Sequence, residues 1–186
     1  MTRPPGTRPR HSARAAFTVV AALAACGAAL GAVWSRIAPP IHTLIALRRD
    51  GERVDAFLGR EADNLFVAAA MLLGLLTMLA VVSAVAVWQW RVHRGPAQAT
   101  ALWIGQVAAG AAAAGVGAAL AHRRYGTPDR SVPLTQENRV AYLTEAPPVF
   151  FGHSPFQIAV TLLLPAAVAA LVYALLTVAT PRDDLV

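Results

Sequence analysis

The sequence predicts an all-α fold, a four-helix transmembrane bundle with two extracytoplasmic loops, and three observations carry that prediction. Its apolar residues fall into four long uncharged blocks rather than into amphipathic stripes. The block Asn64–Trp90 holds no ionisable side chain and exceeds the roughly 20 apolar residues needed to cross a hydrocarbon core. The arginines lie outside the apolar blocks, several of them at the block ends, where cations mark the cytoplasmic side. The spans are placed at about 15–36, 65–90, 101–121 and 156–180, with outer loops 37–63 and 122–155.

Composition narrows the function classes. The chain has 186 residues, is 56% hydrophobic and has a net charge of +6, all of its cations being arginines because it has no lysine. A nucleic-acid surface needs its cations clustered on one folded face. Here they flank membrane spans and act as topology signals, so no nucleic acid is expected as a partner. The single cysteine, Cys26, rules out an intrachain disulfide and a cysteine-based zinc site, and no cofactor is implied.

Residues 1–14 carry Arg3, Arg8, Arg10 and Arg14 with no acid, and read as a disordered basic cytoplasmic tail. Ala15–Arg36 is the first span. Leu23-Ala24-Ala25-Cys26-Gly27 resembles a lipoprotein cleavage box, but the chain stays apolar beyond the cysteine, which favours a span over a processed anchor. In the first outer loop, Asp50-Gly51 signals a two-residue β-hairpin turn that would set Arg49 opposite Glu52, Leu47 opposite Val54 and Ile45 opposite Ala56. That register puts Arg48 opposite Arg53; a short helix over Arg53–Leu58 is the alternative.

The second span enters from Glu61 and Asp63 and leaves through Trp88, Trp90, Arg91 and Arg94, so it runs from outside to inside. The short loop Arg91–Thr100 makes the second and third spans antiparallel neighbours. The third span is rich in alanine and glycine, with ladders Ala109, Ala113, Gly117, Ala121 and Gly110, Ala114, Ala118. Small residues let helix backbones approach, so this helix is expected at the centre of the bundle. Gly27 and Gly31 give the first span a similar face, and the letters leave open whether these faces meet within one chain or between two copies.

In the second outer loop, Arg139–Leu143 reads as a strand that adds to the hairpin as a small outer cap, and APPVFFGHSPF is apolar enough to lie on the outer leaflet or to dock a partner. Pro165 is expected to kink the fourth span. Residues 181–186 form a cytoplasmic tail. Inner segments hold seven arginines against two acids, and outer segments nine against eight over more than twice the length, which places both termini in the cytoplasm.

Few residues offer chemistry. Gln106 is the most notable polar side chain within a span, and Thr77, Ser83, Thr161 and Thr177 read as residues bonded back to their own helices. On the outer face, Glu61, Asp63, Glu145 and His153, with His42, are the candidates for a metal or catalytic site, although no spacing among them forms a metal motif.

The stretches EADNLFVAAAMLLGLL, VWQWRVHRGP and APPVFFGHSPFQIAVTLLLPAAVAALVYALL resemble a family of small conserved membrane proteins of mycobacteria and other actinobacteria, of unknown function. The resemblance implies a multi-pass plasma-membrane protein and carries over no catalytic residue. The leading expectation is a non-enzymatic accessory or scaffold component of a cell-envelope complex, with the lipid bilayer and another envelope membrane protein, or a second copy, as partners. The alternative is a small transporter or channel-like homo-oligomer lined by Gln106; the third is an enzyme with an outer-face His/carboxylate site.

Overall fold

A computed structural model describes residues 9–91, 94–135 and 138–180, with side chains from residue 13 onward. Four long helices, α1 (Pro9–Ile37), α2 (Asp63–Gln89), α3 (Pro96–Tyr125) and α4 (Pro155–Ala179), and three strands, β1 (Ile41–Leu47), β2 (Arg53–Phe57) and β3 (Val140–Glu145), follow in the order α1-β1-β2-α2-α3-β3-α4. Each helix is long and apolar enough to cross a membrane. The fold is mostly helical but not all-α, because β3, between α3 and α4, pairs antiparallel with β1, between α1 and α2, to give one sheet of order β2-β1-β3. α1 starts at Pro9 and so takes in residues 9–14 of the segment expected as a disordered tail; residues 1–8 and 181–186 of the two expected tails lie outside the described residues.

The helices pack through small residues. A Cβ on Gly27 would stand 2.2 Å from the carbonyl oxygen of Ala109, and one on Gly31 would stand 2.3 Å from that of Ala113. These distances are possible only because neither residue has a side chain, so α1 and α3 meet nearly backbone to backbone within one chain. On the other side of α3, Gly110 receives Leu162 of α4. α3 is the most buried helix, with 44% of its apolar window inside the protein against 22–28% for the others.

The short connection does not make α2 and α3 close partners. α2 packs chiefly on α4 and α3 on α1, because the flattest helix faces lie on α1 and α3. Two apolar clusters fill the bundle. One joins Leu23, Ala84, Trp88, Leu102 and Tyr173, and the other joins Trp34, Ala68, Leu72, Ala113 and Ala121 near the sheet.

The tryptophans divide between these cores and the surface. Trp34 is fully buried; its Nε1 donates to the Ala68 carbonyl at 2.7 Å. Trp88 is also buried, edge-on to Tyr173 at 5.2 Å, with the Arg94 guanidinium 4.3 Å from its ring centre. Of the two indoles assigned to a membrane-interface position, Trp90 alone is exposed.

Local signals set the helix ends. Ser154 Oγ accepts from the Gln157 amide at 3.3 Å, and Gln157 Oε1 accepts from the Ser154 amide at 3.2 Å, a reciprocal cap with Pro155 in the first turn. α4 runs on through Pro165, whose ring is fully buried. α3 ends at Gly126, which adopts φ +72° and donates to the His122 carbonyl at 2.8 Å. Thr77, Ser83, Thr161 and Thr177 each bond back to a carbonyl of their own helix, as their positions predict.

The hairpin forms, but one step out of the expected register. Leu47 faces Arg53, Ala46 faces Val54 and Ile45 faces Asp55. The turn has three residues, Arg49-Asp50-Gly51, with Gly51 at φ +87°, and Arg48 donates its amide to Glu52 at 2.8 Å. The physical reason is charge. The shift replaces the Arg48–Arg53 opposition with Arg48 beside Glu52, side chains 3.9 Å apart. It also sets Ile41, Thr43 and Ile45 inward, where all three are buried.

Candidate functional site

The sheet lies over the end of the bundle where α1 and α3 finish and α2 and α4 begin, and the polar candidates divide among separate places around it. Glu61, just before α2, continues the β1 ladder with its side chain. Its Oε2 accepts the His42 amide at 2.5 Å and lies 2.8 Å from His42 Nδ1, the ring nitrogen that donates to it. Asp63 is exposed and 4.0 Å from Arg60, a pair of little energetic weight, and it sits favourably in the first turn of α2.

Glu145 ends β3 facing inward. Its Oε1 accepts from Thr43 Oγ1 at 3.1 Å and from the Arg130 guanidinium at 2.7 Å. That hydrogen bond and charge raise the proton affinity of Arg130 above its ordinary value. Beside it, the Ser131 hydroxyl at 2.5 Å and amide at 2.9 Å both donate to Asp129 Oδ1, and they hold that carboxyl below its usual range.

Gln106 stands apart from all of these, fully buried in α3. Its Nε2 donates to Ser83 Oγ of α2 at 2.6 Å, and its Oε1 is buried without a partner among the described residues.

Glu145 and His153 come together around a cleft of about 510 Å³ between the sheet, the bundle end and the proline-aromatic tract. Ile41, Leu65, Ala118 and the stretch Ala146–Gly152 form its walls, and His122 joins His153 at the polar side. The tract is therefore a folded wall. Phe151 packs against Phe66 at 5.4 Å, and Val149 packs on the cluster around Trp34. A second cavity of about 220 Å³ continues under the sheet past Arg130, with Leu65 and Glu145 lining both.

His42, Glu61 and Asp63 are outside the larger cleft's lining, and no group of three or more His, Cys, Asp or Glu arranged to hold a metal exists among the described residues. Sequence reasoning missed His122 and Arg130. The uncharged block ends at Ala121, whereas the helix continues to Tyr125 and carries His122 one turn beyond Ala118 on the same face. That i, i+4 spacing was the available signal.

Comparison with known proteins agrees on the family and is silent on activity. Residues 23–186 match the family model described as "Protein of unknown function (DUF2567)". The chain is 53% identical over 165 residues to "Uncharacterized protein Rv1591" of Mycobacterium tuberculosis (strain ATCC 25618 / H37Rv), covering 88% of this chain and 86% of the relative. It is 50% identical over 168 residues to "Uncharacterized protein ML1222" of Mycobacterium leprae (strain TN), covering 90% and 85%. No solved structure matches it. With the match running from the middle of α1 to the last residue, the chain belongs to the DUF2567 family of proteins of unknown function.

Proposed function

We propose that this protein is a non-enzymatic accessory component of a cell-envelope complex, held in the plasma membrane by its four helices with both termini in the cytoplasm, and that it acts through the sheet at its outer end. The observation that carries this reading is the sheet's outward face. The alternation along the strands puts Leu44, Ala46, Val54, Ala56, Val140 and Tyr142 on the side away from the bundle. Tyr142 is 70% exposed and Val140 45% exposed. A contiguous apolar sheet face of this kind on a capping element suits contact with another protein.

The orientation rests on the arginine density of the inner segments and on the exit of α2 through Trp90 and Arg91. Two features weigh against a transporter or channel lined by α3. Its small-residue faces are occupied by α1 and α4 of the same chain, and Gln106 is engaged by Ser83. For an outer-face enzyme, Glu61 and Glu145 are already committed to bonds that hold the cap together.

The test is purification of C-terminally tagged protein from native membranes in mild detergent, with mass spectrometry of what accompanies it. A stoichiometric partner that is lost in a Val140→Asp, Tyr142→Asp variant of unchanged thermal stability supports the reading. A clean homo-oligomer with no second protein overturns it and moves transport to first place.

A further inference from the structure

The sheet has two free edges, and they are not alike. The Leu47 amide donates to the Arg139 carbonyl at 2.8 Å, and the antiparallel ladder alternates from there, so Ala141, Leu143 and Glu145 bond to β1. The amides and carbonyls of Val140, Tyr142 and Thr144 point the other way, and none has a hydrogen-bond partner among the described residues. On the far side of the sheet, β2 turns the corresponding groups of Arg53, Asp55 and Phe57 outward. The Arg53 and Asp55 side chains face the bundle there, and Arg53 donates to the Val132 carbonyl. Inward-pointing charges of this kind guard an edge against further pairing. Residues 140–144 (VAYLT) hold no charge, proline or glycine, and Tyr142 is 70% exposed. The β3 edge is the unguarded one.

This edge is complementary to itself. Antiparallel pairing of two copies centred on Tyr142 sets Tyr142 opposite the second copy's Tyr142, Val140 opposite its Thr144, and Arg139 opposite its Glu145. Each free group on one edge then meets a free group on the other, and opposite charges face each other at both ends. Sliding one strand by two residues loses the Arg139–Glu145 match and leaves free groups over at the strand ends.

The fold admits the same pair. Two copies whose helices lie in one bilayer, running the same way, need a two-fold axis along those helices. The axis of an antiparallel edge pair is perpendicular to the sheet. Leu65 of α2 lies beneath both Ile41 and Ile45, so the sheet lies across the bundle end and its perpendicular follows the helices. β3 meets the bundle at its Glu145 end, where Ala146 packs on the Trp34 cluster, and its Val140 end leads away. Centring on Tyr142 therefore sets the two bundles on opposite sides of the axis. We propose that β3 pairs antiparallel with β3 of a second copy, joining the two caps into one sheet of order β2-β1-β3-β3-β1-β2. The outward apolar face stays open on the joined sheet, so the dimer goes beyond the accessory role and does not rest on it.

The experiment is disulfide crosslinking of the full chain in membranes with a mild oxidant, read on non-reducing gels. Cys26, which is exposed, is first replaced by serine. Tyr142→Cys is expected to give roughly tenfold more crosslinked dimer than Val140→Cys or Thr144→Cys. Facing residues on the axis lie about 5.5 Å apart, within disulfide reach, whereas position 140 or 144 lies about 13 Å from its own copy. Differently tagged Val140→Cys and Thr144→Cys chains, made together, should crosslink to each other. Thr144→Pro removes an edge donor without removing a bond to β1, and should lower the Tyr142→Cys dimer about tenfold.

Equal crosslinking at all three positions overturns the proposal, because it describes random collision. So does a Tyr142→Cys chain that stays monomeric, the result expected if the strand of another protein covers β3. Failure of the mixed Val140→Cys and Thr144→Cys chains to crosslink overturns it too, as does a dimer band unchanged by Thr144→Pro. Should Thr144→Pro fail to fold, the cysteine positions decide alone. The crosslinks report only on pairs of copies, and co-purification of a second protein is a separate readout, so failure of the dimer is distinct from failure of the accessory role.

Discussion

Trp34 of α1 and Gly117 of α3 fit together as side chain and space. A Cβ on Gly117 would stand 2.9 Å from the indole Cε3, and the same indole donates through Nε1 to Ala68 of α2 at 2.7 Å. One side chain thus ties three helices together beside the sheet. Gly117→Ala should destabilise the protein by about 1–3 kcal/mol, the usual cost of overpacking, because a buried indole has little room to shift. Trp34→Phe, which loses the hydrogen bond and part of the ring, should cost a comparable amount alone. The two changes should be less than additive in a double-mutant cycle read by thermal unfolding in detergent. Full additivity would mean that the two residues are not coupled.

Glycines elsewhere separate contact from composition. Gly27→Ala drives a Cβ into the Ala109 backbone and should separate α1 from α3, with a large loss of the folded fraction. Gly74 and Gly115 meet nothing within 4 Å of an added Cβ. Alanine at either should be neutral or stabilising by up to about 1 kcal/mol through helix propensity. The measurement is the folded yield of all three variants by size-exclusion chromatography. Equal behaviour of Gly27→Ala and Gly74→Ala would remove the close α1–α3 contact.

Gln106→Leu removes a buried amide whose oxygen already has no partner among the described residues, and it leaves Ser83 bonded to the Ala80 carbonyl at 3.1 Å. Replacing a half-satisfied amide by an apolar side chain of similar size should change stability by less than about 1 kcal/mol in either direction. A thermal unfolding curve checks this. A severe loss would show that the amide makes contacts beyond Ser83.

Asp129 gives a prediction with a definite sign. Its folded carboxyl is held below the ordinary value by two hydrogen bonds from Ser131, so the ionised form is the one that the turn favours. The contribution of this turn is complete above the unfolded carboxylate value and is lost as pH falls through the depressed folded value. Ser131→Ala removes the larger cause, the side-chain bond, and should move the Asp129 titration up toward its ordinary position. Carboxyl-carbon NMR of selectively labelled protein reads this directly, and an unchanged titration in the variant would exclude the hydroxyl as the cause.

Much of the candidate site was not legible because it depends on where two distant segments meet. Glu145 and His153 were named from their residue types, but the letters could not say that His153 would line the same cleft as His122 while Glu61 turned to His42. Arg130 drew no notice in a loop without periodicity, and it matters only because β3 returns Glu145 to within 2.7 Å of it. The hairpin register also failed for a visible reason. The two-residue reading of Asp50-Gly51 carries the unfavourable opposition of Arg48 and Arg53, and the three-residue turn with Gly51 at φ +87° removes it.

What the sequence determined by itself is local. Four apolar blocks of sufficient length set the four helices, since backbone hydrogen bonds within each block need no distant partner. Ser154 with Gln157, and Gly126 after Tyr125, set helix ends by bonds that span only a few residues. Tertiary structure decided which small-residue faces meet. Gly27 and Gly31 fit several alanine-rich helices in principle, and they lie on Ala109 and Ala113 of the same chain because the backbones can approach most closely there. It also decided that β3 completes the hairpin's sheet and that the proline-aromatic tract closes a cleft. Both arrangements arise from pairings between residues about 100 positions apart, such as Thr43 with Glu145, which no local pattern specifies.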